Sequence, residues 1–471
     1  MKKSTGFLSI IVTILILSLL PVGVFGETEP TETIPFIEDA AVYGCYSTDA
    51  QDAFLGDTQL IKNAKSVFLY ELNTRTLMYA WEPDLQLPPS SFVKILTAII
   101  AIENSNMDSA VTVTESALSE LPASAVSADL VINEVMPLKD LLYCMLVGSA
   151  NDAAAVIAQY ISGGQSLFAE KMNDFAKEIG CTGSHFTNPH GLHDPQQYTT
   201  ARDTAKIMEY AMKNDTFREI FGATEYTVAA TNKCPERYLI TGNYMMSMDE
   251  VEIYFDERVI GGRTGVASDS TRCLITVAHS GSMELLCVVL GSESVYEEGG
   301  YRIRSFGGYN ETKTLLDAGF TGHTATQIVY DGQALIQFEI PGGDSLLSAG
   351  SHASISTVLP EDTTLSNLIF RYSQAGQLRA PIMKGDKVGS VEVWHDGLLL
   401  GMTDLYAMND VRDTSLVVLD VQDEKSVLPV VFLVITVIVL AVAAFVLYRT
   451  GRIRRFVNRM RRIWRRRKRR K

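Results

Sequence analysis

The chain has 471 residues and a formal net charge of −14 at pH 7, and its six cysteines are too few for a disulfide scaffold. Without the 14 Lys and Arg of residues 449–471 and the lysines at positions 2 and 3, 25 basic residues oppose 55 acidic ones, a charge of −30. Such an acidic surface disfavours polyanions, so we expect no nucleic-acid partner for the body of the chain. About 400 remaining residues are enough for two or three domains with hydrophobic cores.

Residues 1–26 are typical of a secretory signal. Lys2 and Lys3 precede an apolar run over residues 7–20, and residues 24–26 have the pattern of a cleavage site. An uncleaved anchor is the alternative, although the apolar run is short for a membrane span. We expect cleavage and export, followed by an acidic lead-in over residues 27–60.

The other end combines an apolar segment with a basic tail. Residues 427–447 are almost continuously apolar and long enough to cross a bilayer, and residues 449–471 contain no Asp or Glu. The positive-inside rule expects such a tail in the cytoplasm, in contact with anionic lipid headgroups; nucleic-acid binding is the alternative that its position disfavours. We therefore predict a transmembrane helix over residues 427–448 and a single-pass protein of the cell membrane with extracytoplasmic domains.

Between these ends, predicted hairpins flank a helix-rich middle. Residues 66–72 and 76–81 are strand-like and separated by a turn, as are residues 272–278 and 284–290. Apolar residues at helical spacing predict helices over residues 92–100, 138–145, 152–160, 168–180, 200–213 and 304–318. Hairpin strands with a helical insertion indicate an α+β domain over residues 61–319, and not a parallel doubly wound fold.

Short alternating runs with Gly, Pro and Asp turns follow residue 319. The predicted strands are residues 326–330, 334–340, 353–358, 368–372 and 387–394. They indicate a separate β-rich domain over residues 320–421, a small sandwich that a short polar link joins to the membrane segment.

The cysteines precede the membrane segment, where disulfides are permitted. Three lie in apolar runs and are expected to be buried thiols: Cys144, Cys273 and Cys287. The other three lie in polar, turn-rich contexts and could include one bridge, with partners that the sequence does not fix: Cys45, Cys181 and Cys234.

Ser91 and Lys94 lie one helical turn apart at the start of a predicted helix. A serine hydroxyl is a poor nucleophile until a nearby base takes its proton, and an amine on the same helical face can do so. The helix start, a neighbouring cation and burial would each favour the neutral amine. A helix-capping Ser91 and a solvated Lys94 are the alternative.

Ser149 and Asn151 interrupt the apolar stretch that begins at Leu141. An unpaired polar group at an apolar break is costly, so we expect these side chains to have partners. Ser149 could relay a proton to a leaving amine, and Asn151 could hold a substrate amide. Capping of the next helix by Asn151 or Asp152 is the alternative, and both accounts could hold at once.

Arg263, Thr264 and Gly265 follow two flexible glycines. A guanidinium here suits bidentate capture of a carboxylate, Thr264 adds a hydroxyl, and Gly265 lets another backbone approach a strand edge. An ordinary turn into a strand is the alternative.

His190, His193 and Asp194 invite a metal-site interpretation. Their spacing lacks a third clear ligand, which disfavours it. We expect neither a metal nor another cofactor.

Taken in order, the Ser-x-x-Lys of residues 91–94, the Ser-x-Asn of 149–151 and the Arg-Thr-Gly of 263–265 resemble the motifs of D-alanyl-D-alanine carboxypeptidases. These enzymes are low-molecular-mass penicillin-binding proteins and serine peptidases. Further segments that resemble the family are residues 151–154, 186–192 and 198–201 and, as parts of its C-terminal β domain, 380–385 and 388–389. The resemblance covers about residues 60–420.

The resemblance implies a penicillin-binding, β-lactamase-like transpeptidase fold, with an antiparallel sheet and a helical subdomain, and then an all-β domain. It implies that Ser91 carries an acyl group taken from peptidoglycan stem peptides ending in D-Ala-D-Ala, with Lys94 as its base. β-Lactams, which are similar to this substrate, would be trapped at Ser91.

The same resemblance assigns supporting roles. Ser149 would relay a proton and Asn151 would position the substrate. Arg263 and Thr264 would hold the terminal carboxylate. The backbone N–H of Val266, together with that of Ser91, would bind the oxyanion.

Departures from the family pattern lie close together: Arg263 replaces Lys, Ala267 replaces Thr, and residues 270–271 replace Ala-Gly. We expect these changes to affect rate and substrate preference, since Arg and Lys are not interchangeable at a fitted site. A catalytically impaired peptidoglycan-binding protein of the same fold is the alternative function. A β-lactamase is disfavoured because no segment supplies a clear deacylating glutamate, and Glu209 has no support as one.

Overall fold

In the computed structural model, the chain is described over residues 53–56, 59–247, 252–266, 271–296, 303–414, 428–449 and 452–467. The predicted signal, most of the lead-in, Cys45, Ala267 and Ser270 lie outside these residues. The described residues fall into two compact units. The first comprises residues up to 333 with 351–376 and 387–405, and the second comprises 334–350, 377–386 and residues from 406 onwards.

A six-stranded antiparallel sheet forms the centre of the first unit. Its strands are β1 (Ser66–Glu71), β2 (Thr76–Trp81), β7 (Val259–Val266), β8 (Thr271–Ser280), β9 (Met283–Tyr296) and β10 (Ile303–Phe306). They lie in the order β2-β1-β9-β8-β7, with β10 paired to β9. Both predicted hairpins, β1–β2 and β8–β9, are confirmed.

The sheet is covered on both faces, so its strands carry apolar side chains on each face. Along β9, Leu286 and Val288 belong to one hydrophobic core, whereas Leu285 and Val289 belong to a second core on the other face. This period of two is the alternation expected of a strand. The continuous apolar runs in the sequence are the consequence.

Helices cover these faces, and the chain between them forms two antiparallel strand pairs that the sequence analysis missed. The helices are α1 (Val93–Asn104), α2 (Glu115–Leu118), α3 (Leu138–Leu146), α4 (Asn151–Ser162), α5 (Gln165–Glu178), α6 (Ala201–Ala211), α7 (Asp215–Phe221) and α8 (Gly307–Phe320). The strand pairs are β3 (Ala110–Thr112) with β4 (Val135–Pro137) and β5 (Glu225–Val228) with β6 (Arg237–Ile240). Short 3₁₀ helices are Ser90–Phe92, Glu252–Tyr254 and Leu365–Asn367.

Helix α1 is buried from Val93 to Ala101, which makes it the central helix of the first core. A helix that is apolar all round has no face for water. Its position decides where Ser91 and Lys94 lie.

The prediction of a helix over residues 304–318 is wrong at its start. Residues 303–306 form β10, which pairs with the end of β9, and the helix begins at Gly307. Pairing with a strand from another part of the chain overrides local helical spacing here.

Seven strands follow α8, and five of them confirm predicted runs. In the first unit, β11 (His323–Val329) pairs with β14 (Ile355–Pro360), and β15 (Ile369–Gln374) pairs with β16 (Lys387–His395). In the second unit, β12 (Ala334–Phe338) pairs with β13 (Leu347–Ser351). Strand β13 and strand β17 (Leu398–Ala407) were not predicted.

The cysteine predictions are confirmed in part. Cys144, Cys273 and Cys287 are buried free thiols, as expected. Cys181 and Cys234 are also free, so a bridge between these two is wrong.

Two further helices end the described chain, α9 (Leu428–Arg449) and α10 (Arg452–Arg467). Their side chains are described over residues 433–443, at 445 and over 455–465. Across the described part of the chain, no helix is both long and apolar enough to cross a membrane.

Candidate active site

Ser91 lies in the short 3₁₀ helix that leads into α1. The residue at the N-cap of α1 is Phe92, and no side chain caps either helix start, so the alternative in which Ser91 is a cap is wrong. Its neighbour Ser90 has a φ of 52°, a left-handed conformation that non-glycine residues rarely adopt. The Ser91 hydroxyl therefore does not cap a helix.

Lys94 is 1% exposed, which excludes a solvated surface lysine. Its Nζ lies 3.4 Å from the Ser91 Oγ and donates to the Asn151 Oδ1 at 2.7 Å. Burial lowers the pKa of Lys94 well below its usual value, and the charge of Arg263 lowers it further, against the opposing carboxylate of Asp152. The amine is therefore biased toward the neutral form that a general base requires.

Ser149 and Asn151 lie at the break between α3 and α4. Ala150 is the N-cap of α4 and makes no side-chain capping bond, so Asn151 is not the cap, whereas the Asp152 Oδ1 accepts from the N–H of Ala153 in the first turn at 2.9 Å. Instead, the Asn151 amide contacts the Lys94 amine, and the Ser149 Oγ accepts from Arg263 at 2.8 Å. A φ of 61° at Ser149 marks backbone strain at this break.

Asp152, which the sequence analysis considered only as a helix cap, also makes structural contacts with a distant loop. Its buried carboxylate accepts from the backbone N–H groups of Ala128 and Leu130, at 3.0 and 3.1 Å, and from the Ser127 hydroxyl. The Asn151 N–H also donates to a carbonyl of this loop, that of Val126, at 2.7 Å. The start of α4 is thus fastened to residues 126–130, a long-range contact that local sequence does not reveal.

Arg263 faces inward from β7 and is 5% exposed. It donates to the Leu146 carbonyl and to Ser149, and its Nε has no partner among the described residues. No ion pair joins it to a described acidic side chain. Burial lowers its pKa to about 10. A buried cation held only by neutral acceptors provides a favourable position for a carboxylate ligand.

The end of β7 contacts the turn that precedes Ser91. The Ser90 Oγ donates to the Val266 carbonyl at 2.8 Å, and a Cβ at Gly265 would lie 3.0 Å from that same Oγ. Strand β7 is the last strand of its sheet, and Thr264 and Val266 are partly or largely exposed on it. An extended peptide can therefore pair along this edge next to Ser91.

The segment around Gly191, which carried no evident chemistry in the sequence, supports the same turn. Gly191 has a φ of 82°, and a Cβ there would lie 1.9 Å from the Ser90 carbonyl oxygen. Farther along, the Thr97 hydroxyl of α1 donates to the Pro189 carbonyl at 2.7 Å. Only glycine allows this approach, which fixes the backbone beside Ser91.

His190 lies in this segment and is buried. Its Nδ1 accepts from the Leu192 N–H at 3.2 Å, and burial together with the charge of Lys94 lowers its pKa to about 3. A neutral His190 adds no charge against Lys94. Within the described ranges, no cluster of three or more His, Cys, Asp or Glu is arranged for a metal.

The carboxylate of Glu209 is held by two basic side chains. Its carboxylate forms ion pairs with Arg75 and Lys213, at 2.5 and 3.2 Å. The pair with Arg75 joins α6 to the turn between β1 and β2.

An amine with a lowered pKa beside a serine hydroxyl defines a class, the serine enzymes that use lysine as the base in acyl transfer. The model of the D-alanyl-D-alanine carboxypeptidase family, peptidase family S11, matches residues 56–294, just over half of the chain. The chain therefore belongs to this family of serine peptidases. The model of the C-terminal domain of penicillin-binding protein 5 matches residues 324–413.

Individual relatives agree with this assignment. The D-alanyl-D-alanine carboxypeptidase DacA of Haemophilus influenzae is 27% identical over 82% of this chain and 95% of its own length. DacF of Bacillus subtilis is 25% identical over 75% of this chain and 87% of its own. The crystal structure of penicillin-binding protein 5 from Haemophilus influenzae, 26% identical, superimposes with a TM-score of 0.63 and covers 76% of this chain and 100% of its own. The fold is thus the mixed α/β fold of penicillin-binding proteins, with a C-terminal β domain.

The close approach at Gly191 can be tested by a pair of matched substitutions. Gly180 has the same φ of 82° but open space around it, so Gly180→Ala should cost only the conformational strain, about 1 kcal/mol. Gly191→Ala adds the clash with Ser90 and should lower the free energy of unfolding by roughly 3 kcal/mol or more, measured by urea denaturation. Equal losses in the two variants would show that the contact with Ser90 does not matter.

Proposed function

We propose that this protein is a serine-type D-Ala-D-Ala carboxypeptidase that removes the terminal D-alanine from peptidoglycan stem peptides. The observation that carries the proposal is the buried amine of Lys94, with its lowered pKa, 3.4 Å from the Ser91 hydroxyl. Membership of the D-alanyl-D-alanine carboxypeptidase family supports the substrate class.

In the first half of the reaction, the Ser91 oxygen attacks the carbonyl carbon of the penultimate D-alanine while neutral Lys94 accepts the hydroxyl proton. The backbone N–H groups of Ser91 and Val266 donate to the oxyanion, and preorganised donors of this kind contribute ~3–4 kcal/mol each. The C–N bond then breaks, and a proton passes through Ser149 to the leaving amine of D-alanine. Water hydrolyses the ester at Ser91 and releases the shortened peptide.

Substrate binding uses the opposite wall of the site. Arg263 and Thr264 hold the terminal carboxylate, and Asn151 positions the substrate amide. Arg263 is weakly hydrated and planar, so it can occupy a buried position where relatives of this class carry Lys. Its free Nε and the absence of an acidic partner among the described residues support this role.

The acyl-enzyme at Ser91 is the first test. Full-length protein in detergent is incubated with a labelled penicillin and its mass is measured, and D-alanine release from a peptide ending in D-Ala-D-Ala is assayed in parallel. We expect a stable adduct and release, and both should fall at least about a thousandfold in Ser91→Ala. Ser166→Ala, at an exposed position of α5 far from this turn in sequence, is the matched control and should keep the adduct.

An adduct without D-alanine release would contradict the carboxypeptidase assignment and favour an impaired binding protein. No adduct would contradict the acyl-enzyme mechanism itself.

The pH dependence of acylation tests the base. Penicillin acylation should rise with pH as Lys94 loses its proton, with a midpoint below that of an ordinary lysine because burial lowers the pKa of Lys94. The Arg263 charge disfavours protonated Lys94, so Arg263→Gln raises the pKa of Lys94. The acid limb of the rate profile should therefore move to higher pH in this variant. Binding of the ligand carboxylate should also be weaker.

Arg379→Gln removes the same charge at an exposed position of the second unit and should leave the limb in place. If both variants keep the wild-type midpoint, the Arg263 charge does not set the titration of the base.

For localisation and domain organisation, we propose the following. Residues 1–26 direct export, residues 61–319 and 320–421 form the catalytic and β domains outside the cytoplasm, and α9 spans the membrane within residues 427–448. Support for the span comes from the sequence, in which residues 427–447 are almost continuously apolar, and from the helical conformation of Leu428–Arg449. Its described side chains are apolar except Thr436.

Helix α10 would then lie on the cytoplasmic surface. Its apolar side chains recur at helical spacing and are exposed, Phe456, Met460, Ile463 and Trp464 among them. The remaining positions are rich in arginine, which suits anionic lipid headgroups.

The topology is tested in cells. Full-length protein should stay in the membrane pellet after alkaline carbonate extraction, whereas a chain ending at residue 426 should be soluble. Protease added outside should remove the domains and leave a protected fragment containing α9 and α10. Recovery of the shortened chain in the extracted membranes, or cleavage of α10 from outside, would overturn the proposed topology.

A further inference from the structure

A cleft that is open to solvent lies beside the contact between Ser90 and Val266. Its far wall is the loop that follows Gly191, including His193 and Asp194. Of the residues that line it, the proposed reaction uses only the backbone N–H of Val266.

The direction of the substrate along β7 decides which of its residues lies next to the cleft. In the proposed function, on which this inference rests, the terminal carboxylate docks at Arg263 and the scissile carbonyl at the N–H of Val266. A peptide antiparallel to β7 therefore continues past Val266 with the residue that precedes the two D-alanines. The side chain of that residue is the part of the substrate next to the cleft.

The carboxylate of Asp194 gives the cleft its chemical preference. One oxygen, Oδ1, accepts from the backbone N–H of Gln196 at 2.8 Å, which holds the side chain in place. The other oxygen has no partner among the described residues, and the residues lining the cleft include no lysine or arginine. The remaining titratable side chain of the lining is His193, which is exposed. A fixed carboxylate with a free oxygen suits an ammonium group.

We propose that this cleft receives a side chain ending in an amino group, carried by the residue immediately before D-Ala-D-Ala, and that Asp194 pairs with that group. Asp194 thereby selects among stem peptides by the chemistry of their third residue from the C-terminus. The pair is partly exposed to water, so the preference is modest, about fivefold to tenfold in kcat/KM.

The test compares two peptides that differ only in charge, acetyl-L-Lys-D-Ala-D-Ala and its Nε-acetyl-lysine analogue. D-alanine release is measured for the full-length wild type, Asp194→Asn and Asp174→Asn. Asn at 194 keeps the oxygen that accepts from Gln196, so the loop is preserved and only the charge is lost. Asp174 is an exposed carboxylate on α5 and serves as the charge control.

We expect the wild type and Asp174→Asn to prefer the free lysine by about fivefold to tenfold, and Asp194→Asn to treat both peptides alike. Penicillin acylation, which involves no such side chain, should be unchanged in Asp194→Asn.

A wild type without preference, or a preference that survives in Asp194→Asn, overturns the inference while D-alanine release still supports the proposed function. An equal loss of penicillin acylation and of lysyl-peptide hydrolysis in Asp194→Asn also overturns it, because Asp194 would then support the loop. Absence of release from every peptide contradicts the proposed function, and this inference with it.

Discussion

The amine of Lys94 is buried in the first unit beside Asn151 and Ser91, and the surrounding structure depends on the consequences of that burial. An ammonium ion taken out of water is costly unless it is paired with a negative charge. Here the partners at hydrogen-bonding distance are neutral, the Asn151 amide and the Ser91 hydroxyl. The site therefore favours the uncharged amine, and an uncharged amine next to a hydroxyl is what the chemistry needs.

Several segments of the first unit hold the turn at Ser90 and Ser91 in place. Ser90 adopts a left-handed conformation, and it is held by Val266 on one side and by the close approach of Gly191 on the other. Asp152 fastens the start of α4 to the loop over residues 126–130, so that Asn151 stays opposite Lys94. Strained backbone persists only where the surroundings over-determine it, as they do here.

Sequence patterns predict the parts of this site that depend on local spacing. Ser91 and Lys94 are one helical turn apart, and Ser149 and Asn151 interrupt an apolar run, so their special status is visible without a structure. Contacts between distant segments, such as Ser90 with Val266, leave no local pattern. The same limit explains β10, where pairing with β9 overrides the helical spacing that begins at residue 304. The resemblance to a family recovered the Gly191 segment as similar, but its reason, the missing Cβ against Ser90, needs coordinates.

Arg263 is a buried cation whose charge is not balanced by a described acidic side chain. Its guanidinium is buried against a carbonyl and a hydroxyl, and no described acidic side chain compensates its charge. The free-energy cost of removing this guanidinium from water is therefore part of folding, and ligand binding does not add it again. A ligand carboxylate entering this position gains the full attraction of an already desolvated cation and loses only its own hydration. Because arginine is more weakly hydrated than lysine, it lowers the cost of keeping the site in this state. An arginine in place of the family's lysine is thus compatible with the proposed binding of the substrate's terminal carboxylate at this buried cation.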